Sequence, residues 1–285
     1  MDSKRYPHTR FSDEDMTDLA AAMKVGILAT VTPQGLPHLT LITTLMASTP
    51  ERMVFGQFME GSSKKHVLQN PKTGWMVMGL DRTFRRGFAN YDHAEKSGKD
   101  YDFYNNLPLF RYNAYFGVHT VHYMDLVAHT GKYPLPMNKI IPAAIGTMVA
   151  KTLANKPGKF EVLNGWSRAF YDKIDNLKFL GYVNADGYPV IIPCIQAQSL
   201  DREHLLFSFG AFGDELEQIP AFAPLAVFGM ALSMEDVLVR GTYQGSRRIA
   251  GIKVGVVQLD WAYNPMPPVP LQIYPPVPVQ TVTDF

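Results

Sequence analysis

Cysteine is almost absent. Cys194 is the only one in 285 residues, so the chain cannot close an internal disulfide. Set in the apolar run VIIPCIQA, it reads as a small core hydrophobe. A charge excess is missing too: 27 Lys and Arg face 26 Asp and Glu, for a formal net charge of +1. No global field therefore draws the chain to nucleic acid or to an anionic membrane, and any anion site has to be local. Long apolar runs are also lacking. IIPAAIGTMVA holds a proline and falls far short of the ~20 residues of a membrane span, and the opening MDSKRYPHTRFSDED carries no apolar leader stretch. The expectation is a soluble, cytoplasmic protein with no nucleic-acid or membrane partner.

What is present suits a globular chain. Hydrophobic residues make up 46% and charged residues 19%, enough for a full core in one large domain or two ordinary ones. Ser12 and Asp15 in SDEDMTDLAAAMKVG form a capping-box pattern. The predicted helix carries Met16, Leu19 and Met23 on one face and stops at Gly26. VGILATVT and HLTLITTLMA flank PQGLP, where Gly and Pro signal a hairpin. ERMVFGQFM reads as a third strand, SSKKHVLQN as a short helix closed by Asn70-Pro71, and KTGWMVMGL and FRRGFANY as further strands.

The same grammar returns later in the chain. LKFLGYVNADGYPVIIPCIQA repeats VGILATVTPQGLPHLTLITTL, with Gly35-Leu36-Pro37 on Gly187-Tyr188-Pro189, an offset of 152. At that offset Leu28 meets Leu180, and Met53-Val54-Phe55 meets Leu205-Leu206-Phe207. NPKTGWMVM parallels APLAVFGMA with one residue inserted, and VHYMDLVAH parallels VVQLDWAYN. The expected domains are copy one at 1–137, a helical linker at 138–175, and copy two at 176–285 with a proline-rich tail. The insertion DHAEKSGKDYDFYNNLP is predicted helical, and NPMPPVPLQIYPPVPVQTVTDF is predicted as surface polyproline II. Short strands and tight turns predict a mainly β fold: two tandem antiparallel barrels packed as an internal pseudo-dimer, with connecting helices.

One stretch carries most of the chemistry. GSSKKHVLQNP starts a helix with Ser62, Ser63, Lys64 and Lys65. A helix start presents unpaired N–H groups and partial positive charge, to which serine hydroxyls and lysine ammoniums add. The commoner reading of such a pattern is a serine N-cap with solvated lysines. On the residues alone both stand.

Copy one, however, resembles the FMN-binding split barrel of the pyridoxamine 5'-phosphate oxidase-like superfamily. The resemblance rests on the hairpin around TPQGLPH, the strand RMVFGQF, and the spacing of Ser62, Lys64, Leu68, Asn70 and Pro71. It implies that Ser62 and Lys64 hold the FMN phosphate, with Ser63 donating its backbone N–H. It also implies that Thr43, Thr44 and Gln57 lie along the isoalloxazine ring. In the homodimeric family the flavin lies at the subunit interface, so Trp261 and Tyr263 of copy two become candidates to cover it. The expected function is an FMN-dependent oxidoreductase acting on a small molecule, with NAD(P)H as a candidate donor; the alternative is a non-catalytic flavin binder or sensor. The chain departs from true pyridoxamine phosphate oxidases: HLTLITTL lacks their Arg and Lys, and their C-terminal Arg-and-His signature is missing. Oxidation of vitamin B6 is therefore not implied.

At the offset of 152, Gly61-Ser62-Ser63-Lys64 falls on Gly213-Asp214-Glu215-Leu216. Acids there would repel a phosphate, so one flavin per chain is expected. Oligomeric state is left open between a monomer with its internal pair and a homodimer. Among the remaining candidates, Arg85 and Arg86 suit either an anionic substrate or ion pairs, and His119, His122 and His129 fit no common metal spacing. Tyr112, Tyr115 and His122 are the polar residues of an aromatic-rich segment that could serve as acid or base; none stands out as catalytic.

Overall fold

The computed structural model describes residues 2–58, 61–108, 117–154, 158–233, 235–265 and 271–279. Tyr112 and Tyr115 lie outside them. The chain divides into two compact units, Met1–Leu135 with Val183–Ile191, and Pro136–Tyr182 with Ile192–Phe285.

Each copy forms one eight-stranded antiparallel sheet. The first holds β1 (Lys24–Val31), β2 (Pro37–Leu41), β3 (Met46–Thr49), β4 (Arg52–Gln57), β5 (Lys72–Gly79), β6 (Thr83–Glu95), β7 (Thr120–His129) and β8 (Tyr133–Pro134). Its order is β2-β1-β5-β6-β7-β4-β3, with β8 on β6. The second holds β9 (Leu177–Val183), β10 (Pro189–Pro193), β11 (Gln198–Ser199), β12 (His204–Ser208), β13 (Pro224–Met230), β14 (Asp236–Ile249), β15 (Ile252–Asn264) and β16 (Leu271–Tyr274). Its order, β10-β9-β13-β14-β15-β12-β11 with β16 on β15, is the same path.

The first sheet curls around a buried core. Leu28 of β1, Ala47 of β3, Phe55 of β4, Trp75 of β5, Ala89 of β6 and Met124 of β7 meet in one buried cluster. Each large side chain buried there contributes about 1.5–3 kcal/mol. The two ends of the path, β2 and β3, are joined by the turn at residues 42–45 rather than by a ladder, which makes a split barrel. HLTLITTLMA is thus two strands, and Thr43 and Thr44 sit in the turn between them.

The duplication holds to the level of single hydrogen bonds. Thr32 N–H donates to Leu36 O and Gly35 N–H to Thr32 O, each at 2.8 Å; Asn184 to Tyr188 and Gly187 to Asn184 repeat this at 2.9 Å. Gly35 and Gly187 take φ of 77° and 82°, where a side chain would be strained. Two expected registers need correction. Leu28 pairs with Trp75 and Leu180 with Val227, so the offset of 152 continues through β5 and β13 with no inserted residue. A one-residue slip would have turned the core face outward. Val54 pairs with Tyr123 and Leu206 with Val256, so VHYMDLVAH matches VGVVQLDWA, two residues earlier than expected. A shift of two keeps the alternation of faces, which is why the sequence pattern tolerated it.

The helices are α1 (Asp13–Leu19), α2 (Ser62–Gln69), α3 (Lys99–Asn106), α4 (Met137–Ala154), α5 (Gly165–Asp172) and α6 (Gly213–Leu216). The capping box on α1 forms as expected, with Asp15 N–H on Ser12 Oγ at 3.2 Å and Ser12 N–H on the Asp15 carboxylate at 3.0 Å. The helix ends at Leu19, well before Gly26, and Met23 is exposed. Gly26 lies inside β1, where its carbonyl accepts Ile42 N–H at 2.7 Å and a Cβ would run into the Ile42 carbonyl. Close backbone approach, not helix termination, explains the glycine. The expected insertion helix is only partly helical, since β6 runs through Glu95 before α3 begins at Lys99. In the tail, Leu271–Tyr274 forms the edge strand β16 instead of polyproline II. Among the described residues no helix is long and apolar enough to cross a membrane.

Arg85 anchors α1 to β6. Its side chain is buried, pairs with Asp15, and reaches Asp18 Oδ2 at 2.8 Å. Burial pushes the Asp15 carboxyl up, yet the Ser12 N–H, Arg85 and the Ser12 hydroxyl together hold it below the usual range. Of the two readings for Arg85, the ion pair is the one formed. Arg85→Ala leaves Asp15 buried without its partner and is expected to cost about 3 kcal/mol. Urea unfolding checks this; an unchanged midpoint would show that the pair carries no stability.

Candidate functional site

The first residue of α2 is Ser62, and its N-cap is Gly61, which offers no side chain to close the first turn. The serine-cap reading is therefore not the one realised. No acidic residue lies in that turn. Lys64 folds back over the helix start: its ammonium stands 3.6 Å from the point a Cβ at Gly61 would occupy. Helix dipole and ammonium thus add at one place.

α2 packs on β1 and β2, and polar side chains fix it there. Ser63 is 1% exposed and shares a 2.5 Å hydrogen bond with the Thr40 hydroxyl of β2. Its hydroxyl is engaged, leaving its backbone as the group able to face a ligand. His66 Nδ1 lies 3.1 Å from Thr30 Oγ1, and the His66 ring meets His38 edge-on at 4.9 Å. Lys65 is exposed on the next position of the helix.

Gln57 and His122 extend this polar group. Gln57 Oε1 accepts from His122 Nε2 at 2.7 Å, so the ring proton sits on Nε2. The ring stacks on Phe55 at 4.7 Å. Burial, helped by the charge of Lys64, pulls His122 down to about 4 and keeps it neutral near pH 7. Its Nδ1 is a buried acceptor with no hydrogen-bond partner among the described residues.

Ser62, Ser63 and Lys64 stand together at the start of α2, and the other expected residues have partners or positions of their own. Thr44 is buried and its hydroxyl is engaged with the Gly56 backbone, donating to the carbonyl at 2.8 Å and accepting the N–H at 3.1 Å. Thr43 is exposed in the turn. Trp261 belongs to the second unit, where Arg240 lies over its ring at 3.7 Å, Tyr263 stacks at 5.1 Å, and its indole N–H donates to Gln272 at 2.9 Å. His129 donates Nε2–H to Arg10 O and accepts Gly131 N–H on Nδ1, so it is a satisfied structural residue. Among the described residues no cluster of three or more His, Cys, Asp or Glu could hold a metal. Cys194 is buried, and burial pushes its thiol up to about 12 against the pull of Lys178.

Thr40, Thr30, His38 and His66 were missed in the sequence. Their signal was alternation: Thr30 on β1 and His38 and Thr40 on β2 are polar residues in strands that are otherwise apolar, opposite the α2 segment. In copy two, the position of Ser63 is taken by Glu215 in α6, whose first turn is acidic.

No family model and no curated protein matches the chain. Parts of solved structures are similar. An FMN-binding protein from Syntrophomonas wolfei is 14% identical over 41% of this chain and 82% of its own, with a TM-score of 0.37. HupZ of Group A Streptococcus is 12% identical over 42% and 91%, at 0.35. A FAD-binding protein from Mesorhizobium loti is 15% identical over 42% and 94%, at 0.25.

A pH titration tests the buried histidine. A folded-state value near 4 lies below the unfolded value of about 6.5. The folded state thus binds fewer protons, so stability present above pH ~6.5 is lost as the pH falls toward 4. His122→Phe should lose less stability than the wild type over that window; parallel losses would show that His122 is not held neutral.

Proposed function

We propose that the protein binds a flavin through copy one, with the phosphate of FMN at the N-terminus of α2. The observation that carries this reading is the glycine-capped helix start with the Lys64 ammonium folded over it. A phosphate there would meet the Ser62 hydroxyl, the Ser62 and Ser63 N–H groups and the Lys64 charge. Thr40 would hold Ser63 in place, and Lys65 would add only long-range attraction. Gln57, its amide oxygen engaged by His122, would have its NH₂ group left to present to a ring system. Trp261 of copy two stays a candidate cover on the strength of the family resemblance alone. The motif spacing of Ser62, Lys64, Leu68, Asn70 and Pro71 supports FMN over an unspecified anion.

When bound, a flavin supplies electron or hydride transfer, and this chain's residues supply binding, orientation and charge. On that basis the protein is an FMN-dependent oxidoreductase acting on a small molecule. The acidic first turn of α6 repels phosphate, so the stoichiometry is one flavin per chain.

Lys64→Ala and Ser62→Ala are expected to weaken FMN binding about tenfold or more each, the scale of a lost charge-assisted hydrogen bond. Fluorescence titration of FMN reads the effect. Undiminished affinity in both variants, or two equivalents bound per chain, contradicts the assignment. Bleaching of the bound flavin by NAD(P)H with reoxidation by an added acceptor supports the enzyme; a flavin that stays oxidised with every donor supports a binder.

A further inference from the structure

Copy two holds a pocket of its own, inside the second unit. It has a volume of about 390 Å³ and is lined by residues of β12, β14 and β15 together with Leu200, Asp201 and Ala154. This volume is in the range of small-molecule sites.

The equivalent place in copy one is filled. Arg52 pairs with Asp125 across β4 and β7, and His204 pairs with Gln258 across β12 and β15, so the positions correspond. In copy one Arg52 bridges Asp125 at 2.8 Å and Asp92 at 3.1 Å. Tyr123 stands beside it, with the His93 ring stacked on its face at 4.5 Å. Copy two replaces Arg52 by His204, Asp92 by Gln244, Tyr123 by Val256 and Asp125 by Gln258. Four substitutions thus remove an ion-pair bridge and a large ring from one spot. Both sheets bulge there, between Tyr91 and His93 and between Tyr243 and Ser246. Bulges re-aim side chains and are common beside functional sites. In copy two the bulge carries Gly245 at φ 80° and leads into Arg247.

The polar groups left in the pocket are arranged, not merely exposed. Asp201 Oδ1 accepts Glu203 N–H at 2.7 Å, His204 N–H at 2.9 Å and His204 Nδ1–H at 3.0 Å. That bond fixes the imidazole with its proton on Nδ1 and leaves Nε2 as the nitrogen that can take a second proton. Glu203 is engaged as well: Oε1 accepts from Gln258 at 3.0 Å and Oε2 accepts Lys159 N–H at 2.9 Å. Both acids are thereby tied to protein donors. Arg247, by contrast, lines the pocket and makes no ion pair with any described residue. Leu200 and Val256 supply an apolar wall.

We propose that this pocket binds a small molecule carrying an oxyanion, carboxylate or phosphate, on an apolar body. The oxyanion is held by the Arg247 guanidinium, whose fork matches two oxygens, and by His204, which donates Nε2–H once the ring is protonated between Asp201 and the anion; the apolar body lies against Leu200 and Val256. The site is separate from α2 and does not depend on flavin binding.

Calorimetric titration of the full chain with phenyl phosphate, benzoate and the neutral control benzyl alcohol tests this. Both anions are expected to bind, and benzyl alcohol about tenfold more weakly or less. Arg247→Ala and His204→Gln should each lower anion affinity by about tenfold, Val256→Tyr should abolish binding by restoring the ring of copy one, and Arg248→Ala, at an exposed arginine outside the pocket lining, should leave it unchanged. Arg247 is exposed, so its variant is expected to fold even if Val256→Tyr does not. Absence of anion binding, equal affinity for benzyl alcohol, or wild-type affinity in Arg247→Ala and His204→Gln overturns the proposal. Loss in Lys64→Ala with retention in Arg247→Ala would place the anion on α2 and overturn it equally.

Discussion

One side-chain hydroxyl closes the split in the first barrel. The sheet path ends at β2 and β3, and the turn between them is pinned to β4 by Thr44, which hydrogen-bonds both backbone groups of Gly56. Leaving those two groups buried and unpaired would cost about 1–3 kcal/mol each. Gly56 is the residue before Gln57, the last of β4, so the bond also sets where the chain leaves the barrel toward α2. Tyr104 reinforces it by donating to the Thr44 carbonyl at 2.6 Å. Copy two keeps the constraint and changes the residue: Gln196 reaches from the same turn to Ser208 O at 3.1 Å and Ala211 O at 3.2 Å. The helix start of α2 is thus mounted on a framework that both copies need.

With the frame held constant, the copies differ in what they place on it. Helix starts show this most plainly, since serine and lysine in α2 are matched by aspartate and glutamate in α6. The β12–β15 region shows the reverse trade, an open pocket where copy one has a packed ion-pair network. A net charge of +1 hides both, because the polarity that matters is local. Duplication leaves each barrel its core and frees the residues at the strand ends and bulges to diverge.

The repeat was legible because hairpin glycines and apolar alternation are backbone requirements that any copy must keep. Gly35 and Gly187 mark it, as do Leu28 and Leu180. Register was less legible. A two-residue shift in β7 preserves every in-or-out assignment, so pattern alone could not separate Asp125 on Gln258 from Asp125 on Asp260. The start of α2 was readable as residue types in order, yet whether Ser62 was cap or first helical residue depended on where Gly61 fell. Thr44 shows what residue type leaves out: the sequence gives no sign that its hydroxyl bonds both backbone groups of Gly56. The copy-two pocket left no motif at all, since it consists of what four substitutions took away.

The central claim is that the start of α2, and not that of α6, receives the flavin phosphate. Backbone amide chemical shifts of isotopically labelled protein during FMN addition test it directly. The account predicts that the amides of Ser62, Ser63 and Lys64 move while those of Asp214, Glu215 and Leu216 stay in place. Shifts confined to Asp214–Leu216, or an unmoved α2, would contradict it.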